Sequence, residues 1–313
     1  MNIPKYWEKK EVTFDIDGKE AICAVWGYSD GDPEVARRMI EEKIPKVEEA
    51  IRLAWSAKTR SNHGHDSWGD YYHVDAIREQ RMEEFLQDGE EIAVITRNSY
   101  GSKIINCPEV MFVDIDTEGD DWGTWDHSEE LTGCLGLFLG SSTKEPAEPA
   151  KPAPRPEPSQ AKLDALARVK GYVDSNPGTG FRIYETTLGL RLIATNQLYE
   201  PASDEAMAIM KTLHSDELYM RLCRVQKCFR ARLTPKPWRI GVHSPPISRA
   251  WRGPARPYPG HDSWLENYET VSKGYQACRF MEKTGLEAPD PAIKEVVRVH
   301  DEACGANGDL PLC

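Results

Sequence analysis

The sequence predicts an α/β protein of the α+β kind, with a mixed or antiparallel sheet core and flanking helices. Three observations carry that expectation. Two β-rich runs meet at an Asp-Gly turn near the N-terminus, a continuous apolar run at Val110–Val113 ends in two acids, and segments of helical periodicity separate the β-rich runs. With 313 residues, 40% hydrophobic and 29% charged, the composition is that of a folded chain with a substantial core.

The first runs, Val12–Ile16 and Lys19–Trp26, flank Asp17-Gly18 and predict a hairpin. From Pro33 to about Ala57, Val35, Met39, Ile40, Ile44, Val47 and Ile51 recur near helical spacing, with Pro45 as an expected kink. A shorter helix is expected over 75–87. Glu91–Asn106 reads as strand, turn and strand around Ser99-Tyr100-Gly101. Val110–Asp116 then reads as a central strand covered on both faces.

Thr143–Gln160 carries six prolines at near-alternate positions and is expected to be an extended linker. It divides the chain into an N-terminal half, 1–142, and a C-terminal half, 161–313. In the second half a helix is expected over 162–173 and a tight hairpin over 181–186 and 190–195, followed by helices over 203–213 and 216–223. Strands are expected at 229–233 and 238–240, and helices at 264–283 and 291–303. Neither half alone contains a complete site, so one module built from both is expected.

No apolar segment has the length of a membrane span, the N-terminus lacks a leader pattern, and the eight cysteines are scattered. A cytoplasmic protein with reduced thiols and no membrane partner is the resulting expectation. Cys223 and Cys228, the nearest pair, read as small buried apolar residues. His63 and His65 sit in a polar loop with His73 as their only further ligand, a poor metal set. His261-Asp262 and His300-Asp301 read as capping or structural pairs.

The net charge of −12 argues against a polyanionic partner, but the average conceals a reversal. Tyr219–Gly260 contains no Asp or Glu and ten Lys or Arg residues, among them Arg230, Arg232 and Lys236. Phe229, Trp238, Trp251 and Tyr258 interleave with them, as stacking platforms for single-stranded nucleic acid do.

Asp114 and Asp116, at i and i+2 on a strand, project to one face, where their mutual repulsion is costly unless a cation intervenes. Hard cations, Mg²⁺ or Mn²⁺, bind through such pairs together with substrate phosphates. Asp15-Ile16-Asp17 repeats the tripeptide, but before a Gly turn in a half-polar strand, and is read as a decoy. Arg97 is a further candidate for phosphate contact, lying before the turn that leads back toward the acidic strand.

Val113-Asp114-Ile115-Asp116 resembles the hydrophobic-Asp-hydrophobic-Asp motif of the archaeo-eukaryotic primase superfamily, the primase-polymerases. Arg182-Ile183-Tyr184-Glu185-Thr186-Thr187-Leu188-Gly189-Leu190-Arg191-Leu192 resembles that group's second motif, a hairpin. The likeness spans about residues 90 to 240. It implies a primase-polymerase-like fold and a nucleotidyltransferase, with Asp114 and Asp116 as metal-holding catalytic acids and Asp216 as the candidate third acid. Arg97, Arg182 and Arg191, with Arg230, Arg232 and Lys236, would bind phosphate. The implied partners are a nucleoside triphosphate or single-stranded nucleic acid.

One departure matters: Arg191 stands where the group carries a nucleotide-contacting His, and Arg can hold a phosphate but cannot act as an imidazole. A non-catalytic adaptor or nucleotide sensor on a degenerate fold of this type is therefore the alternative. Haloacid-dehalogenase-like phosphatases also carry an Asp-x-Asp strand end, but they place Thr or Val where this chain has Glu118, which ranks that reading third. The segments TRNSYG, MFVDID and CFRARLTPKPWR also resemble segments of bacterial proteins, a likeness that supplies no function.

Overall fold

The computed structural model describes residues 1–58, 76–117, 157–245 and 260–313. The chain is α+β with antiparallel strand pairing. An N-terminal hairpin, β1 (Tyr6–Ile16) and β2 (Lys19–Ser29), packs against helix α1 (Pro33–Lys58). Asp17 and Gly18 both have positive φ, the geometry a two-residue hairpin turn needs. The helix runs through Pro45 without ending.

Two four-stranded sheets follow. Strands β3 (Gln80–Gln87), β4 (Glu90–Arg97) and β5 (Lys103–Cys107) join β9 (Phe229–Arg232) in the order β3-β4-β5-β9. Strands β6 (Phe112–Asp116), β7 (Gly180–Glu185), β8 (Gly189–Ala194) and β10 (Arg279–Gly285) form the other, in the order β10-β7-β8-β6. Each sheet is therefore completed across the Pro-rich segment. β5 pairs with β9, and β6 pairs with β8 in the register Asp114↔Arg191 and Asp116↔Gly189. The 143–156 part of the expected linker lies outside the described residues.

Helix α2 (Gln160–Ser175), capped by the Ser159 hydroxyl, covers one face of the β10-β7-β8-β6 sheet. Its Lys162 reaches Glu185 Oε1 at 3.2 Å and the Thr186 carbonyl at 2.9 Å, and Arg279 faces Glu185 from β10 at 3.7 Å. These buried charges are tolerated because each meets an opposite one. Helices α3 (Asp204–Thr212) and α4 (Glu217–Gln226) follow, and α5 (His261–Ser272) and α6 (Pro291–Cys304) lie in the last third. The main core is built of strand residues such as Ile105, Phe112, Ile115 and Leu192, with Val169, Met210 and Val296 from the helices.

Four expected elements differ. Val110–Asp116, expected as a central strand, lies at the edge of its sheet, and its apolar run is buried because both of its faces are covered, not because strands flank it on both sides. Residues 80–87 form an edge strand rather than the end of a helix; its burial alternates because one face meets solvent, and Met82, Phe85 and Leu86 imitate helical spacing. The helix expected over 264–283 stops at Ser272, and Arg279–Gly285 pairs with β7 as β10. Pro237–Ile240 makes one 3₁₀ turn instead of a strand, since Pro237 supplies no ladder donor and Gly241 closes the turn at φ 71°. Among the described residues, no helix is long and apolar enough to cross a membrane.

Candidate functional site

Strand β6 owes its position to its sequence: Val110–Val113 and Ile115 are buried, so the odd-numbered side of the strand enters the core and the even-numbered acids do not. Asp114 is half-buried and Asp116 exposed. As an edge strand, β6 leaves carbonyls unpaired, and the segment between α3 and α4 supplies them with donors. The Ser215 hydroxyl and the Asp216 amide donate to the Asp114 carbonyl at 2.9 and 3.0 Å. The Tyr219 hydroxyl donates to the Phe112 carbonyl at 3.1 Å and accepts from the Arg230 amide at 3.3 Å, which ties the two sheets together beneath the site. Burial, with Cys223 adding to it, pushes the Tyr219 phenol well above its ordinary value, so it remains a neutral donor.

Asp114 and Asp116 line a cleft of about 280 Å³ between these sheets. The same cleft is lined by Arg230 and Arg232 from β9 and by Lys236 and Arg239 from the loop and turn that follow, while Arg191 lies on β8 next to Asp114. Three carboxylates, those of Glu79, Asp114 and Asp116, therefore meet five cations in one cavity of an otherwise acidic chain. Such a place concentrates anions.

The cations differ in burial and in the partners that fix them. Arg230 is held by both oxygens of Glu79 at 2.7 Å, so it forms cleft wall. Arg191 is nearly fully buried and donates to the Arg232 carbonyl at 2.7 Å. Burial opposes its charge, but Cys278, Asp114 and Cys304 outweigh that effect and raise its pKa. Arg191 thus positions the Arg232 backbone beside the acids instead of reaching outward. Arg232, which donates to the Thr234 carbonyl at 3.3 Å, and Lys236 and Arg239 are half-buried side chains that line the same cleft. Tyr100 lines the same cavity, edge-on to the exposed Trp238 at 5.3 Å.

Other expected site residues lie elsewhere. Arg97 is buried against Glu269 Oε1 (2.6 Å) and the Gly101 carbonyl (2.9 Å), which joins α5 to β4. Arg182 bonds the Tyr184 hydroxyl at 2.8 Å and Asp301 at 2.6 Å and lies over Phe280, where it serves the packing of α6 on the sheet. The Asp216 carboxylate accepts from the Tyr219 amide at 2.6 Å as the N-cap of α4, a sufficient local reason for an acid there. Phe229 is fully buried core, not a stacking platform. His63, His65, His73, Glu118, Trp251 and Tyr258 lie outside the described residues.

A second constellation escaped the sequence reading. Cys278, His300 and Cys304 place their sulfur and ring-nitrogen atoms within 4.8 Å of one another, all buried. Burial alone would push the Cys278 thiol up, but a hydrogen bond from Cys304 and the charges of His300 and Arg191 hold it well below its ordinary value. The signal was present as His300 and Cys304 at i and i+4 on one helix face. Its third member is supplied only by the pairing of β10 with β7.

The chain matches no family model, no curated protein and no solved structure.

Proposed function

We propose that the cleft binds a nucleotide, as a nucleoside triphosphate or the end of a single strand, through a divalent cation held by Asp114 and Asp116. The observation that carries this reading is the convergence of the two acids with Arg232, Lys236 and Arg239 on one cavity. The acids offer four oxygens on one strand face, a donor set that suits Mg²⁺ or Mn²⁺ completed by phosphate. Bound there, the ion would neutralise the acids and polarise a phosphoryl oxygen. Arg232, Lys236 and Arg239 would take the remaining phosphate oxygens, and Tyr100 offers an aromatic ring in the cleft for a base. The primase-polymerase likeness belongs to the same proposal, with nucleotidyl transfer as its active form.

A specific observation favours the sensor form, in which the nucleotide binds without turnover. Besides the metal pair, the one acid that lines the cleft among the described residues is Glu79, and it is committed to Arg230; Asp216 caps a helix. Incubation with labelled nucleoside triphosphates, primed template and Mn²⁺ decides between the forms. Calorimetric binding without product supports the sensor, and extension that disappears in the Asp114→Ala, Asp116→Ala double variant supports the transferase. Absence of any Mn²⁺-dependent binding refutes both forms, and release of inorganic phosphate that depends on Asp114 favours the phosphatase.

A further inference from the structure

Beside Arg191, on the sheet face that Asp114, Arg191 and Tyr184 share through their register, Cys278, His300 and Cys304 converge from two directions. The register Phe280↔Tyr184 carries Cys278, two residues earlier, to the face of the sheet that holds Tyr184. The C-terminal turns of α6 lay His300 and Cys304 on that same face, and the His300 ring lies 4.7 Å from the Tyr184 ring. Cys278 Sγ is 3.6 Å from His300 Nε2.

Buried cysteines are commonly inert apolar residues, and a buried histidine is commonly a satisfied core residue. The surroundings of His300 argue for more than that. Its Nδ1 lies 3.1 Å from Asp301 Oδ1, and the carboxylate, which only accepts, assigns the proton to Nδ1. Asp301 is itself fixed at 2.6 Å by both the Tyr184 hydroxyl and Arg182. Nε2 faces the Cys278 sulfur at 3.6 Å, with the Arg191 guanidinium 3.4 Å away. Asp301 at Nδ1 thus leaves Nε2 as the nitrogen turned toward Cys278, and it is the carboxylate behind the ring that ligating histidines characteristically have.

We propose that Cys278, His300 and Cys304 form a site for a zinc-class divalent ion, with Asp301, Tyr184 and Arg182 as its outer support. Two thiolates and one imidazole suit a borderline-soft ion and not the hard cation proposed for Asp114 and Asp116. Three protein donors leave the fourth tetrahedral position to a small exogenous ligand. Two thiolate charges cancel those of the ion, so Arg191 remains the local positive group beside Asp114. The ion would bind sheet to helix where β10, α6 and β8 meet, and its effect on the cleft would pass through Arg191 and the Arg232 carbonyl.

The full-length reduced protein, stripped of metal, is titrated with Co²⁺ while its absorption is followed. One equivalent that develops thiolate-to-cobalt charge-transfer bands, and that Zn²⁺ displaces, is expected. The bands should persist in the Asp114→Ala, Asp116→Ala double variant and in Cys23→Ser. They should weaken with at least a ~100-fold loss of affinity in Cys278→Ser and in Cys304→Ser, each read on protein whose circular dichroism matches the parent. Absence of charge-transfer bands in the folded, reduced parent protein overturns the proposal even if the variants fail to fold. Bands that survive both cysteine substitutions overturn it as well. Either result leaves the nucleotide reading intact, since that reading uses oxygen ligands and its loss would not abolish sulfur bands.

Discussion

The tripeptide Asp-Ile-Asp occurs twice in this chain, at 15–17 and at 114–116, and the two copies meet different surroundings. In both, the isoleucine is buried and the acids on either side of it are not. At the first copy the Asp15 carboxylate accepts from the Gly18 amide at 2.9 Å, and Asp17 takes a left-handed conformation in the turn. Those acids are consumed in making a hairpin. At the second copy the strand does not turn, the register places Arg191 beside Asp114, and the cleft that the acids line also carries the cations of β9 and its loop. The comparison teaches that two carboxylates at i and i+2 carry no function by themselves; what faces them decides.

That contrast can be broken most sharply by removing the acids in pairs. Asp114→Ala with Asp116→Ala should weaken Mn²⁺-dependent nucleotide binding by more than ~100-fold, since loss of even an outer-shell group of a metal site costs about 10–100-fold. Asp15→Ala with Asp17→Ala should leave the affinity unchanged by calorimetry, and equal losses in both pairs would erase the distinction drawn here. Next in size is the glycine beside each copy. A Cβ on Gly189 would stand 1.9 Å from the Ile115 carbonyl oxygen, so Gly189→Ala should force β8 from β6 and cost about 3 kcal/mol in urea denaturation. Arg232→Ala should weaken nucleotide binding ~10-fold and flatten its salt dependence, as loss of one charge-assisted contact does. Smallest is Gly18→Ala, where the space is open and only the φ of 76° is strained, which should cost about 1 kcal/mol and spare nucleotide affinity.

Where one physical signal dominated a segment, the sequence sufficed. The unbroken apolar lead-in at Val110–Val113 announced a strand buried on both faces, though not its place at a sheet edge, and Thr187-Leu188-Gly189 announced the β7-β8 hairpin. Signals failed where tertiary context overrode local pattern. Edge strand β3 shows solvent one face and so carries helix-like polarity, and β10 follows α5 too closely for periodicity to separate them. Of the site, the acidic pair and the basic β9 segment were legible by charge, whereas the commitments of Arg97, Arg182 and Asp216 were not. Each is fixed by a partner on another element or by a backbone amide at a helix start. Arg239 was counted among the basic residues but not singled out, because only the 3₁₀ turn brings it to the cleft.

The pairing of β6 with β8 and of β5 with β9 has a consequence during synthesis. The early strands leave the ribosome several seconds before their partners, at translation speeds of about 5–20 residues per second. During that interval β5 and β6 present open edges, and open apolar edges recruit other nascent chains. Asp114 and Asp116, at the tip of the most apolar of these strands, would then act as gatekeepers that repel a second copy. The same two charges would serve the polypeptide before it is folded as well as after.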